Sequence, residues 1–328
     1  MKKLLSAVAI SALLAGPVSA QESVAIGSIA AITGPIADLV APIVAGRNLA
    51  AEHVNAQGGL LDGREMVLIA ADGQCDPKSA VDAANKVVNI DQVVGVLGAT
   101  CSGPTNAIAE AVTISAGVPL ISDSATAPSI TELDDNGLVF RTAPSDAYQG
   151  NALADFVWDR GVKKVALTYA NDDYNVGLAE VFEARFKELG GEITASQLHE
   201  PEKASYRSEI TTLGQGEAEA LVLFAYYGGS GVTIIRNALE SGAFDKFFAA
   251  EGMINPAVIE QIGADTLRDR IWVTKGASDP DTDSFKRFAD AYEVTGFDPG
   301  SVWAAHGYDA AFLMALAIEK AGSTDGRA

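Results

Sequence analysis

The chain has 328 residues, 48% of them hydrophobic, with 43 acidic against 23 basic residues and a formal net charge of −20. Such acidity excludes a nucleic-acid or anionic-membrane partner, because both reward clustered Lys and Arg. The length sets a prior of about two domains.

Residues 1–20 read as a secretory signal peptide. Lys2-Lys3 is a charged n-region, Leu4 to Leu14 is an apolar run too short to span a bilayer, and Gly16-Pro17-Val18-Ser19-Ala20 carries the small residues of a cleavage site. The mature chain is expected to start at Gln21, outside the cytoplasm. The two cysteines, Cys75 and Cys101, therefore meet an oxidising compartment. There a pair reads as a disulfide rather than as a metal or redox site.

From Gln21 onward strand and helix alternate. Val24–Ile32 is strand-like, Thr33-Gly34-Pro35 is a turn, and a helical pattern runs from about Pro42 to Asn55 until Gly58-Gly59 stops it. Glu65–Ala71 is a strand, Pro77–Asn89 a helix, and Val93–Leu97 a short buried strand. Ser102-Gly-Pro-Thr opens a helix carrying Ile108, Ala111, Val112 and Ile114, and Val118–Ile121 is the strand that follows. Leu138–Thr142 is one more strand, after which Ala143-Pro144-Ser145-Asp146 has the look of a crossover.

A second series follows: helix Gln149–Asp159, strand Lys164–Tyr169, helix Asn175–Leu189, strand Glu192–Leu198, helix Tyr206–Leu213, strand Ala218–Phe224, helix Gly231–Ser241 and strand Phe247–Ala250. It ends near Ile271–Val273, before the polar run 278–283. Repeated βα units argue for parallel sheets with helices on both faces, arranged here as two similar α/β lobes. Val302–Ala321 is of membrane-spanning length, but His306, Asp309, Glu319 and Lys320 make it a buried core helix. Such a lobe would normally add another strand, so the C-terminus is expected to be incomplete.

The stretch from Gly98 to Thr126 is the expected ligand site. A strand that ends in small residues and turns into a helix leaves unpaired N–H groups beside the positive end of the helix dipole. That makes an anion site, to which the Ser102 hydroxyl adds a donor. Ser122, Ser124 and Thr126 should emerge on the same sheet edge, where ligands of open α/β sheets bind. The plainer alternative is that Ser102 caps a helix and that Ser122 to Thr126 is an ordinary polar turn.

Enzymatic constellations are scarce, and the chain is read as a non-enzyme. His53, His199 and His306 lie far apart with no metal-binding spacing, so neither a metal nor a cofactor is expected. Gly229-Ser230-Gly231 resembles a nucleophile elbow only loosely. In the second lobe Tyr174, Tyr226, Tyr227 and Glu251 fall at strand ends, facing the first lobe if the lobes oppose each other. This set suits a zwitterion, with its negative end at Ser102 and its positive end at Glu251.

Several runs together carry a resemblance. Thr33-Gly-Pro, Asn55-Ala-Gln-Gly-Gly, Asp72-Gly-Gln-Cys-Asp-Pro-Lys-Ser-Ala, Ala84-Asn-Lys-Val-Val, Cys101-Ser, Ala125-Thr-Ala-Pro, Tyr174 before Gly177, and Ala250-Glu-Gly resemble the periplasmic leucine/isoleucine/valine-binding proteins, the solute receptors of ATP-driven amino-acid importers. The resemblance implies a type I periplasmic binding fold: two Rossmann-like lobes joined by a hinge, with residues 21–144 plus 275–328 in one and 145–274 in the other. It implies periplasmic localisation, a Cys75–Cys101 disulfide, membrane permease subunits as partners, and a monomer. By motif, Ser102 and Thr126 would bind an α-carboxylate. The Ser124 carbonyl, the Thr126 hydroxyl and Glu251 would hold an ammonium, and Tyr174 and Tyr227 would cover the ligand, with Asp146 as a further candidate.

The departures fall in the side-chain pocket. Leu39 and Ser301 stand where well-known members carry aromatic residues, Thr100 stands in place of an apolar residue, and Asp123 occupies a position often held by proline. The implied ligand is an amino acid, of branched-chain type or related. The alternatives are an aromatic or aliphatic organic acid or amide taken up in the same way, and a ligand-sensing receptor domain.

Overall fold

The structure is a computed structural model and describes residues 23–328; the signal peptide read at residues 1–20 lies outside the described residues. Among the described residues ten strands form two parallel sheets. The first contains β1 (Val24–Ala30), β2 (Met66–Asp72), β3 (Val96–Leu97), β4 (Leu120–Ser122) and β5 (Val139–Arg141), in the order β2-β1-β3-β4-β5. The second contains β6 (Lys164–Ala170), β7 (Glu192–His199), β8 (Ala220–Phe224), β9 (Phe247–Ala249) and β10 (Ile271–Val273), in the order β10-β9-β8-β6-β7. Each sheet has its earliest strand between its second and third. The crevice of each therefore opens at the carboxyl ends of those strands, where the winding reverses.

Apolar packing explains why the sheets hold. β8 is Ala-Leu-Val-Leu-Phe with every residue buried, as a strand covered on both faces must be. In the first sheet β1 pairs β2 along its whole length, from Val24 opposite Met66 to Ala30 opposite Asp72. The Ala304–Ala321 helix packs back on the first sheet, with Ala310, Ala311, Met314 and Ile318 joining Val24, Ile26 and Leu97 in one core. It crosses the Ala37–Ala56 helix closely: a Cβ at Gly46 would strike the Ala304 carbonyl, and one at Gly307 the Ile43 carbonyl. Among the described residues no helix is long and apolar enough to cross a membrane.

Several elements differ from the sequence reading. The first helix starts at Ala37, five residues before Pro42, which lies inside it. Proline removes one backbone donor there, but Ile36 and Val40 are buried in the same core as Tyr227, Ala249 and Met253 of the second lobe, and that burial holds the extra turn. β3 pairs over only two residues, and the helix after it passes through a π-type turn at Ala109–Thr113 before ending at Ala116. The Asp283–Tyr292 helix was not anticipated. Its signals are present all the same: Thr282 caps it through the Phe285 N–H, and Phe285, Phe288 and Tyr292 recur at helical spacing.

Candidate functional site

The carboxyl ends of the two sheets face one another. Cys75, after β2, and Cys101, after β3, are joined by a disulfide with Cα atoms 5.5 Å apart, which fixes the turn leading into the helix that opens at Ser102. The buried Ser102 hydroxyl accepts the backbone N–H groups of Thr126 (3.2 Å) and Ala127 (3.1 Å). It thus stitches the β3 and β4 loops together rather than capping its own helix. Having accepted two donors, it keeps its own proton to give.

Behind these loops lies a group that sequence reasoning missed. Arg47, on the helical face opposite solvent, reaches across the β1 and β3 ends: Nη1 donates to Ser28 Oγ (3.0 Å) and to the Ile29 carbonyl (3.1 Å). Its other donors grip Asp123. The single Ser124 hydroxyl proton is shared between Asp123 Oδ1 (3.1 Å) and the Thr100 carbonyl (3.0 Å). A lone cation within the apolar run Leu39–Ala51 and an aspartate at a strand end were the available signal. The residue that departs from proline at position 123 is thus the anchor of this turn.

The opposite lobe brings carboxylates. Asp146 starts the Asp146–Asp159 helix and is wholly buried, and neither of its oxygens has a hydrogen-bond partner. The Thr126 hydroxyl beside it is likewise unpartnered. Burial, and then the charge of Glu251, push the Asp146 carboxyl well above the usual carboxylate range, against the opposing pull of the neighbouring Thr126 hydroxyl and of the Arg141 charge. Glu251 is itself buried and accepts from Gln149 Nε2, while Tyr174 Oη accepts the Gly252 N–H at 3.3 Å. Burial raises Glu251 as well, partly offset by its hydrogen bonds. Tyr174 is pushed well up by burial and by these two carboxylates. Among the described residues neither carboxylate forms an ion pair.

A cavity of about 30 Å³ lies between the lobes, room for one or two waters. Of the residues expected at a ligand, Thr100, Ser124, Tyr174 and Glu251 line it. The first helix supplies an apolar wall of Ile36, Leu39, Val40 and Ile43, and Trp303 closes the hinge side. Tyr226 lines it in place of Tyr227: the Tyr226 ring stacks on Tyr174 with centroids 5.2 Å apart, whereas Tyr227 is packed in the core beside Val232 and Met253. Thr126 and Asp146 are buried and do not line it, Ser102 borders the outer groove that Tyr226 shares, and Ser301 borders a third cavity on the hinge side. The sequence placed Tyr226 at the right strand end; only the turn at Tyr227–Gly231 decides which of the two rings points inward.

The sequence model of the periplasmic binding protein family matches residues 23–328. The leucine-, isoleucine-, valine-, threonine- and alanine-binding protein of Pseudomonas aeruginosa is 30% identical over 93% of this chain and 80% of its own. A leucine-binding protein of Thermotoga maritima superposes with a TM-score of 0.81 at 27% identity, over 93% of this chain and 85% of its own. The branched-chain amino-acid transporter substrate-binding protein of Streptococcus pneumoniae, solved with isoleucine, has a TM-score of 0.80 at 26% identity, over 93% and 86%.

Proposed function

The chain belongs to the periplasmic binding protein family, and we propose that it captures an α-amino acid, of branched-chain type or close to it, between its two lobes for delivery to an ABC importer. The observation that carries this reading is the pair of buried carboxylates, Asp146 and Glu251, with no cation at ion-pair distance. Burying two carboxylates together is unfavourable, and the Arg141 charge near Asp146 and the Gln149 donor to Glu251 offset it only in part, since both carboxyls stay raised. An α-ammonium supplies the missing charge and the donors that the Asp146 oxygens lack.

The other end of the ligand has its own partners. The α-carboxylate is assigned to the start of the helix at Ser102, where first-turn N–H groups have no helical acceptor and the Ser102 proton is available. Thr100, Ser124 and Thr126 complete the polar side, and Leu39, Val40 and Ile43 receive the side chain. Because the contacts come from both sheets, ligand favours the closed arrangement over an open one. The lobes are read as 21–144 with 275–328, and 145–274, with docking of the closed form onto permease subunits at the periplasmic face of the membrane. No bond of the ligand is made or broken.

The test is a thermal-shift and calorimetric screen of protein unfolded and refolded to remove carried-over ligand. Leucine, isoleucine and valine should raise the melting temperature by mass action, while 4-methylpentanoate, which keeps the leucine skeleton without the ammonium, should not. A response to the acid and none to the amino acids overturns the reading.

A further inference from the structure

Two cavities meet at one side chain. Trp303 lines the 30 Å³ interlobe cavity and also a cavity of about 420 Å³ on the hinge side, between residues 275–280 and 298–306. The indole is buried, packs with Ile43 and Ala143, and meets the His306 ring edge-on at 4.8 Å. Its backbone has φ +62° and ψ 6°, immediately before the Ala304–Ala321 helix. A bulky residue is an outlier in that left-handed region, and such outliers gather at ligand clamps and switches. The far ring of the indole rests on Gly276, where a Cβ would overlap it. Glycine at 276 is what makes this seat.

The other walls of the interlobe cavity are backed differently. Ile36 and Val40 are backed by the second lobe's core. Tyr226 borders an outer groove, but its ring is stacked on Tyr174, so moving it breaks a second aromatic layer. Behind Trp303 lies space of ligand size that opens without breaking the Tyr174–Tyr226 stack, walled by Phe285, Pro280 and Val302.

Resting on the amino-acid reading above, we propose that Trp303 is the partition that sets which side chains this protein accepts. A small or branched aliphatic side chain packs against the front of the indole. The hinge-side cavity is the subsite that an aromatic side chain enters once the indole leaves its seat on Gly276.

Calorimetry with L-alanine, L-leucine and L-phenylalanine tests this on refolded wild type and on Trp303→Ala and Gly276→Ala. Trp303→Ala is expected to improve phenylalanine relative to alanine at least tenfold, and Gly276→Ala to move the ratio the same way by displacing the indole. A ratio unchanged within twofold in both variants overturns the proposal. Should Trp303→Ala fail to fold, Gly276→Ala and the emission of Trp303 in a Trp158→Phe/Trp272→Phe background decide it. Phenylalanine, but not alanine, should shift that emission in Gly276→Ala, and equal responses overturn the proposal. Binding of no amino acid by any of these proteins overturns the functional reading and this inference with it, whereas size-independent binding overturns the inference alone.

Discussion

Arg47 and Asp123 form a bidentate ion pair from which water is wholly excluded: both side chains are 0% exposed, and Arg47 Nη2 lies 2.9 Å from Asp123 Oδ1. The pair ties the first helix to the turns carrying Thr100 and Ser124. Removing the cation alone leaves a buried carboxylate without compensation, which costs about 3–5 kcal/mol. Arg47→Met is therefore expected to lose that much in urea unfolding, and Arg47→Met/Asp123→Leu to recover most of it. Wild-type stability in the single variant would contradict the assignment.

Ligand binding should release protons. The Asp146 and Glu251 carboxyls are held up by burial in the free protein, and an ammonium between them favours their ionised forms. Affinity should fall as pH is lowered toward the raised values. Over the acid range in which affinity falls, binding enthalpies measured in buffers of different ionisation heat should show net release. Net uptake, or no dependence on the buffer, would rule out the ammonium at this pair.

Asp146→Asn should separate stability from function. A carboxyl whose folded pKa is raised favours the folded state only while protonated, so its contribution is lost as pH rises from the ordinary value near 3.8 through the raised one. At pH 7.5 the neutral amide should melt higher than wild type without ligand, yet bind amino acid at least tenfold more weakly. A variant that melts lower and binds normally would place Asp146 outside the site.

His199 should make the fold acid-sensitive. Its Nδ1 lies 2.8 Å from Thr168 Oγ1, whose own proton goes to the Gln197 carbonyl, so Nδ1 carries the hydrogen. Nε2 then accepts from Ser230 Oγ at 2.8 Å, deep in the second lobe. The Ser230–His199 pair is a buried packing unit, away from the interlobe cavity. Burial lowers the imidazole from 6.5 to about 4, with Glu209 opposing and Lys203 adding to the shift. The neutral ring's contribution is full above pH 6.5 and fades as pH falls toward 4, by about 3 kcal/mol in all. Urea midpoints at pH 7.5 and 4.5 should differ accordingly, and His199→Gln should narrow the gap.

Reduction of Cys75–Cys101, 26 residues apart, removes a constraint on the unfolded chain worth about 3–4 kcal/mol in the loop-entropy picture. The melting temperature should drop on reduction. An unchanged value would contradict a structural role.

The sequence by itself determined the succession of strands and helices in outline, the two-lobed α/β class and most of the sheet-edge residues, because those follow from local hydrophobic period and from turns that end strands. Ser124, Tyr174 and Glu251 could be named as strand-end residues for that reason, whereas Thr100 stood out only against the family resemblance. It could not show that the first helix runs through Pro42, since the compensating burial of Ile36 and Val40 comes from the other lobe. It could not tell Tyr226 from Tyr227, neighbours whose directions depend on one turn of backbone. Nor could it pair Arg47 with Asp123, or set Trp303 against Gly276 and between two cavities. Arg47 and Asp123 are 76 positions apart in the chain and Gly276 and Trp303 are 27, and only the tertiary fold brings such side chains into contact and removes the water between them.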